Sequence, residues 1–205
     1  MIAALYVQTD GVYSGLPGVE LWDEARDART YAGPHPVVAH PPCQRWGKYW
    51  FGSPLNPIHR KGDDEGCFSA AITAVRLYGG VLEHPAYSHA WLAHGLPWPP
   101  HTGGWQRDVD GGWCCLVNQR AYGHYANKLT WLYAMGTDDL PVLDHAKREQ
   151  LIPQALIDRI GYKKACRSGV VSLIGGGGNS RVREATPLAF RDLLLAIART
   201  AHQSR

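Results

Sequence analysis

The run from Val37 to Gly47, Val-Val-Ala-His-Pro-Pro-Cys-Gln-Arg-Trp-Gly, leaves the chain few choices. Val37 and Val38 close a short apolar run suited to a buried strand. Two prolines then end it, because neither can donate to a sheet ladder and each restricts the residue before it to extended geometry. The strand must stop and present Cys43, with Gln44, Arg45 and Trp46 following. An open α/β sheet gathers its chemistry at the carboxyl ends of its strands, and a thiol on a stiff loop suits that position. A buried cysteine in a proline-rich turn is the competing reading of this stretch alone.

The remainder alternates in the same way. Ile2–Val7 is apolar and β-prone and ends in the polar turn Gln8-Thr9-Asp10-Gly11. Val19–Trp22 reads as a second strand closing on Asp23 and Glu24, where an acidic side chain suits ribose hydroxyls or simply a solvated strand end. After Cys43 comes a loop of basic and aromatic residues, Arg45, Trp46, Lys48, Tyr49, Trp50, Phe51, His59, Arg60 and Lys61. That is the composition of a nucleic-acid contact loop. Asp63 or Asp64 can cap a helix reaching Tyr78, with Phe68, Ile72, Val75 and Leu77 spaced for burial, and Gly79-Gly80 stops it. Val81-Leu82 is a buried strand that delivers Glu83-His84-Pro85. Ser88–His94 reads as a short helix, Gly103–Asn118 as a hairpin around Asp110-Gly111-Gly112, and Thr130–Ala134 as a further strand. Thr186 as cap and Pro187 at the first helical position begin the last helix.

This strand–helix alternation predicts an α/β doubly wound sheet. The expected divisions are a catalytic domain over 1–138, a basic and partly flexible segment over 139–183, and a C-terminal helix over 184–205 packing on that domain. From His145 to Arg183 there are eight Lys and Arg against two Asp and Glu, with Gly175–Gly178 followed by Arg181 and Arg183. Such a segment suits phosphate contacts or a solvated linker.

Composition narrows the classes. The 205 residues are 45% hydrophobic and 19% charged with a net charge of +3, which permits a polyanionic partner without requiring one. Five cysteines without a C-x-x-C pair argue against a disulfide framework or a zinc ribbon, and no histidine spacing suggests a metal site. With no signal peptide and no membrane-length apolar run, a reducing cytoplasm is the expected compartment.

Three strand ends bear reactive groups: Cys43, Glu83, and the run around Gln119-Arg120. A thiolate with an acid and a cation nearby suits attack on an electron-poor ring. Pro42-Cys43-Gln44 resembles the Pro-Cys motif of the cytosine-C5 DNA methyltransferases. Glu83-His84-Pro85 is similar to their Glu-Asn-Val/Pro motif. The stretch Asn118–Ala134, with Gln119, Tyr122-Gly123-His124, Lys128 and Thr130-Trp131-Leu132, resembles the Gln-then-basic strand that follows in that family. Small phage and prophage proteins of that lineage are more similar still, with an opening like Ala4-Leu5-Tyr6-Val7-x-Thr9-Asp10 and a close like Ala185-Thr186-Pro187.

The resemblance implies a Rossmann-like, class I methyltransferase-like sheet. It also implies Cys43 attack on C6 of a flipped-out pyrimidine in DNA, Glu83 at the amino group and N3, and Arg120 or Lys128 stabilising the ring. S-adenosylmethionine would lie against Thr9, Asp10, Gly11, Asp23 and Asp27, and the substrate against Pro42, Gln44, Arg45, Trp46, His84, Gln119, Arg181 and Arg183. The chain departs from the family in two places. Its first turn has one glycine where the family has Phe-x-Gly-x-Gly, and only about 139–178 is left for a reduced target-recognition region. Two alternatives therefore stand beside methylation: cofactor-free modification or removal of a C5 substituent on DNA or a nucleotide, and nucleic-acid binding without catalysis.

Overall fold

The structure, a computed structural model, describes residues 1–48, 50–53, 56–149, 151–167 and 184–202. Its strands are β1 (Ile2–Leu5), β2 (Val19–Trp22), β3 (Val37–Ala39), β4 (Gly52–Ser53), β5 (Asn56–Pro57), β6 (Gly80–Pro85), β7 (Trp105–Arg107), β8 (Trp113–Asn118) and β9 (Leu129–Met135). Its helices are α1 (Cys67–Tyr78), α2 (His89–Ala93), α3 (Gln154–Ile160), α4 (Tyr162–Arg167) and α5 (Leu188–Thr200). Single 3-10 turns cover Ala28–Thr30 and Gln119–Tyr122.

Seven strands form one mixed sheet in the order β2-β1-β3-β6-β9-β8-β7, and β4 and β5 make a separate small ribbon. β2, β1, β3 and β6 are mutually parallel. β9 lies antiparallel between β6 and β8, and β7 is antiparallel to β8. The protein is therefore α/β with a mixed sheet, parallel on the β2-β1-β3-β6 side and antiparallel on the β9-β8-β7 side. Connection length explains the difference. A parallel crossover needs a dozen or more residues, usually with a helix. The segment Gln119–Lys128 between β8 and β9 is too short for that and carries only a 3-10 turn, so the two strands pair antiparallel.

Alternation along the strands divides the core into two layers. Leu5, Val37, Ala39, Leu82 and Tyr133 face α1 and α2, where Phe68, Ala71, Ile72, Val75 and Trp91 are buried. Ala4, Val38, Val81, Val117 and Leu132 face α5, which buries Phe190, Leu194, Leu195, Ile197 and Ala198. Leu77 and Leu188 remain exposed. Pro187, not Thr186, occupies the cap position of α5.

Two local devices shape the sheet, one at the amino ends of β3 and β6 and one at the carboxyl end of β1. Gly80 has φ +115°, and a Cβ there would lie 2.0 Å from the Val37 carbonyl oxygen, so only glycine permits the close approach of β6 to β3. Tyr6 has φ 60°. It turns the chain directly after β1, and its N–H still bonds to the Trp22 carbonyl. No helix among the described residues is long and apolar enough to cross a membrane.

Candidate active site at the carboxyl ends of β3 and β6

Period-two alternation decides which polar side chains meet. Val38, Val81 and Val117 point into the α5 layer. Two residues further along each strand direction come His40, Glu83 and Gln119. β9 runs the other way, so two residues back from Leu132 comes Thr130, and Lys128 precedes it. These five positions end up on one face at one end of the sheet.

Hydrogen bonds tie them together. His40 Nδ1 lies 3.0 Å from Glu83 Oε2, and Gln119 Nε2 donates to Glu83 Oε1 at 3.0 Å and to Thr130 Oγ1 at 2.9 Å. Tyr13, buried after the first turn, places its hydroxyl 2.8 Å from His40 Nε2. The Gln119 N–H donates to the Lys128 carbonyl, which fixes β9's entry beside Glu83. Gln119 Oε1 is buried without a hydrogen-bond partner among the described residues.

The electrostatics are uneven. Burial acts to raise the Glu83 pKa, but the hydrogen bond from His40 and the charges of Lys128, His40 and His84 outweigh it and hold the carboxyl at about 2. Glu83 is therefore a carboxylate near neutrality. Burial pushes the Cys43 thiol above its ordinary range. The charges of Glu83 and Glu184 push the same way, and Lys128 opposes them. Burial, with the Glu83 charge, also raises the Tyr13 phenol well above its ordinary range. Lys128 thus acts on both Cys43 and Glu83.

The other expected residues divide clearly. Arg120 turns away: its Nε donates to the Glu149 carbonyl at 2.7 Å, so Lys128 is the cation the fold brings to Cys43. His84 follows Glu83 by one residue and so faces the opposite layer. It is fully buried edge-on against Phe68, with its pKa lowered to about 4 by burial. Trp46 is a core anchor: its Nε1 donates to Asp64 Oδ2 at 2.7 Å and its ring packs against Phe68. Asp64 also accepts from the Phe68 N–H and so starts α1. Arg45 pairs with His59 at 3.1 Å, while Pro42 and Gln44 are exposed beside Cys43. Arg181 and Arg183 lie outside the described residues.

At the ends of β1 and β2 the Thr9 hydroxyl donates to Asp23 Oδ2 at 2.5 Å, and the Arg26 N–H donates to Asp23 Oδ1 at 3.1 Å. Gly11 closes the turn by donating to the Gln8 carbonyl, and Asp10 is exposed beside it. Asp27 stands apart, with φ 47°, capping the Ala28–Thr30 turn and pairing with Arg29 at 2.7 Å.

Sequence reasoning did not assign His40, Tyr13, Thr130 or Glu184. His40 was detectable, because it shares parity with Val38 as Glu83 does with Val81. Tyr13 lies in an irregular segment and carries no periodic signal. No family model matches the chain, and no curated protein or solved structure matches it.

Proposed function

We propose that the protein forms a covalent bond between Cys43 Sγ and C6 of a pyrimidine, as the cytosine-C5 DNA methyltransferases it resembles do, on a Rossmann-like, class I methyltransferase-like sheet. One observation carries the reading. Cys43 follows β3, Glu83 lies near the carboxyl end of β6, the strand hydrogen-bonded beside it, and Lys128 acts on both.

As Sγ bonds to C6, the ring's π electrons move toward N3. Glu83 is the group to hold a proton at N3 and to accept from the exocyclic amino group, and Lys128 balances the negative charge passing through the site. C5 then becomes nucleophilic. C5 bonds to an electrophile, or to a proton where a C5 substituent is to be removed; loss of the C5 proton or substituent with departure of Sγ then restores the ring, and the N3 proton returns through Glu83 to re-form the thiol.

S-adenosylmethionine, when bound, supplies a methyl electrophile for C5. Its fit to this chain is incomplete, because both carboxylate oxygens of Asp23 are already engaged and the first turn has a single glycine. That observation favours a second reading, in which C5 of a DNA base or nucleotide meets a different electrophile or loses a substituent.

The covalent step is tested with an oligonucleotide containing 5-fluorocytosine and a 5-fluoropyrimidine nucleotide. The expected result is a denaturation-resistant adduct with wild type and none with Cys43→Ser. No adduct from wild type on either probe refutes the reading. Calorimetric titration with S-adenosylmethionine separates the two readings; absence of heat at millimolar ligand excludes methyl transfer.

A further inference from the structure

Glu83 cannot serve a ring nitrogen unless something hands it a proton, and among the described residues its titratable hydrogen-bond neighbour on the Oε2 side is His40, at 3.0 Å. An ionised carboxylate accepts only, so His40 Nδ1 carries a hydrogen toward it. His40 Nε2 faces the Tyr13 hydroxyl at 2.8 Å, a group able to donate to a neutral ring or accept from a protonated one. His40 is thus satisfied in both charge states, while Tyr13 is buried and its phenol stays protonated.

We propose that His40 and Glu83 act as one proton-carrying unit, in which His40 supplies and retrieves the proton that Glu83 exchanges with the pyrimidine. The inference rests on the covalent reading above. The balance closes within the site. Cys43 gives up its thiol proton to the pair, leaving a thiolate and an imidazolium beside a carboxylate. Sγ bonds to C6, N3 takes a proton from Glu83, and Glu83 takes one from His40 Nδ1. On elimination the N3 proton returns through Glu83 and His40 to Sγ, so the pair ends as it began, while the proton or substituent lost from C5 leaves to solvent.

The surroundings suit a mobile proton. On the loop after β1, Tyr13 faces His40. From β6 come Glu83 on the same face and His84 on the opposite one. Lys128, just before β9, adds a positive charge; Cys43 lies within electrostatic reach of Glu83, and Glu184 within reach of Cys43. On α5, Arg191 and Asp192 act on Tyr13, and the Arg191 guanidinium also donates to the Val12 carbonyl.

His40→Asn separates carrying from positioning, because the asparagine amide can still donate toward Glu83 but cannot titrate. The expected result is adduct formation with the 5-fluoropyrimidine probes slowed about 100-fold, with one limb of the wild-type pH–rate profile lost. Adduct formation within about threefold of wild type and an unchanged profile would make His40 a positioning residue and overturn the proposal. The pair is also read in wild-type protein without substrate, from the Glu83 carboxyl carbon and the His40 ring nitrogens by NMR. Shared midpoints support the unit, and independent midpoints overturn it. Wild type that forms no adduct yet shows shared midpoints overturns the covalent reading alone.

Discussion

Replacing Glu83 by glutamine removes a charge while keeping the size and one acceptor, and its effect on stability has a fixed sign. The carboxyl is held at about 2 in the folded chain against an ordinary 4.5. A group with a depressed folded pKa contributes stability that is present above the unfolded value and lost as pH falls through the folded one. The difference corresponds to about 3 kcal/mol. Its side chain is only 11% exposed, so solvent screening removes little of this. Urea unfolding of wild type and Glu83→Gln at a series of pH values should therefore show two curves that converge by about 3 kcal/mol between pH 4.5 and 2, with wild type losing the stability. Parallel curves through that window would refute the assignment of Glu83 as a carboxylate held by His40, Lys128 and Gln119.

Other perturbations probe the surrounding frame. His84 is depressed from 6.5 to about 4, so it destabilises the fold as pH drops from 6.5 toward 4; His84→Leu should remove about 3 kcal/mol of that acid sensitivity, seen by the same urea series. Gly80→Ala should cost more than about 4 kcal/mol or prevent folding, because its Cβ would meet the Val37 backbone; thermal melting checks this. Trp46→Phe should lose about 1–2 kcal/mol by removing one of the hydrogen bonds to the buried Asp64 carboxylate, measured by denaturation. Cys43→Ser should leave the melting temperature within a few degrees of wild type while abolishing the fluoropyrimidine adduct, since Cys43 is only partly buried and belongs to neither core layer.

What the sequence revealed follows from how local each cause is. β2 falls where its apolar run ends, and β3 stops at Pro41-Pro42 as proline chemistry requires. Cys43 and Glu83 were visible as strand-end groups for the same reason. Longer-range causes were hidden. β6 runs to Pro85 because β9 goes on pairing with it past Leu82, where its pairing with β3 ends, which Val81-Leu82 alone does not disclose. Trp46 reads as a stacking surface from its basic neighbours, yet Asp64 and Phe68, contributed by a later segment, draw it into the core. Arg120 and Lys128 are equivalent as cations on paper. The Glu149 carbonyl, 29 residues beyond Arg120, is what turns Arg120 away.

The antiparallel insertion of β9 is also what completes the site. In its observed register Thr130 opposes Pro85 and Leu132 opposes Glu83, so β9 begins at the end where β6 finishes. Its first residues, Lys128 and Thr130, therefore arrive beside Glu83 and Gln119. A parallel β9 would bring its last residues there instead, Ala134 and Met135, which have no charge to offer a thiolate or a carboxylate. The short Gln119–Lys128 connection that rules out a wholly parallel sheet thus also fixes which cation stands at Cys43. It ties Gln119 to the same corner through the bond from its N–H to the Lys128 carbonyl. Lengthening that connection should loosen Lys128 and Gln119 together, and the Glu83 carboxyl should then rise toward its ordinary range even though no residue touching it has been replaced.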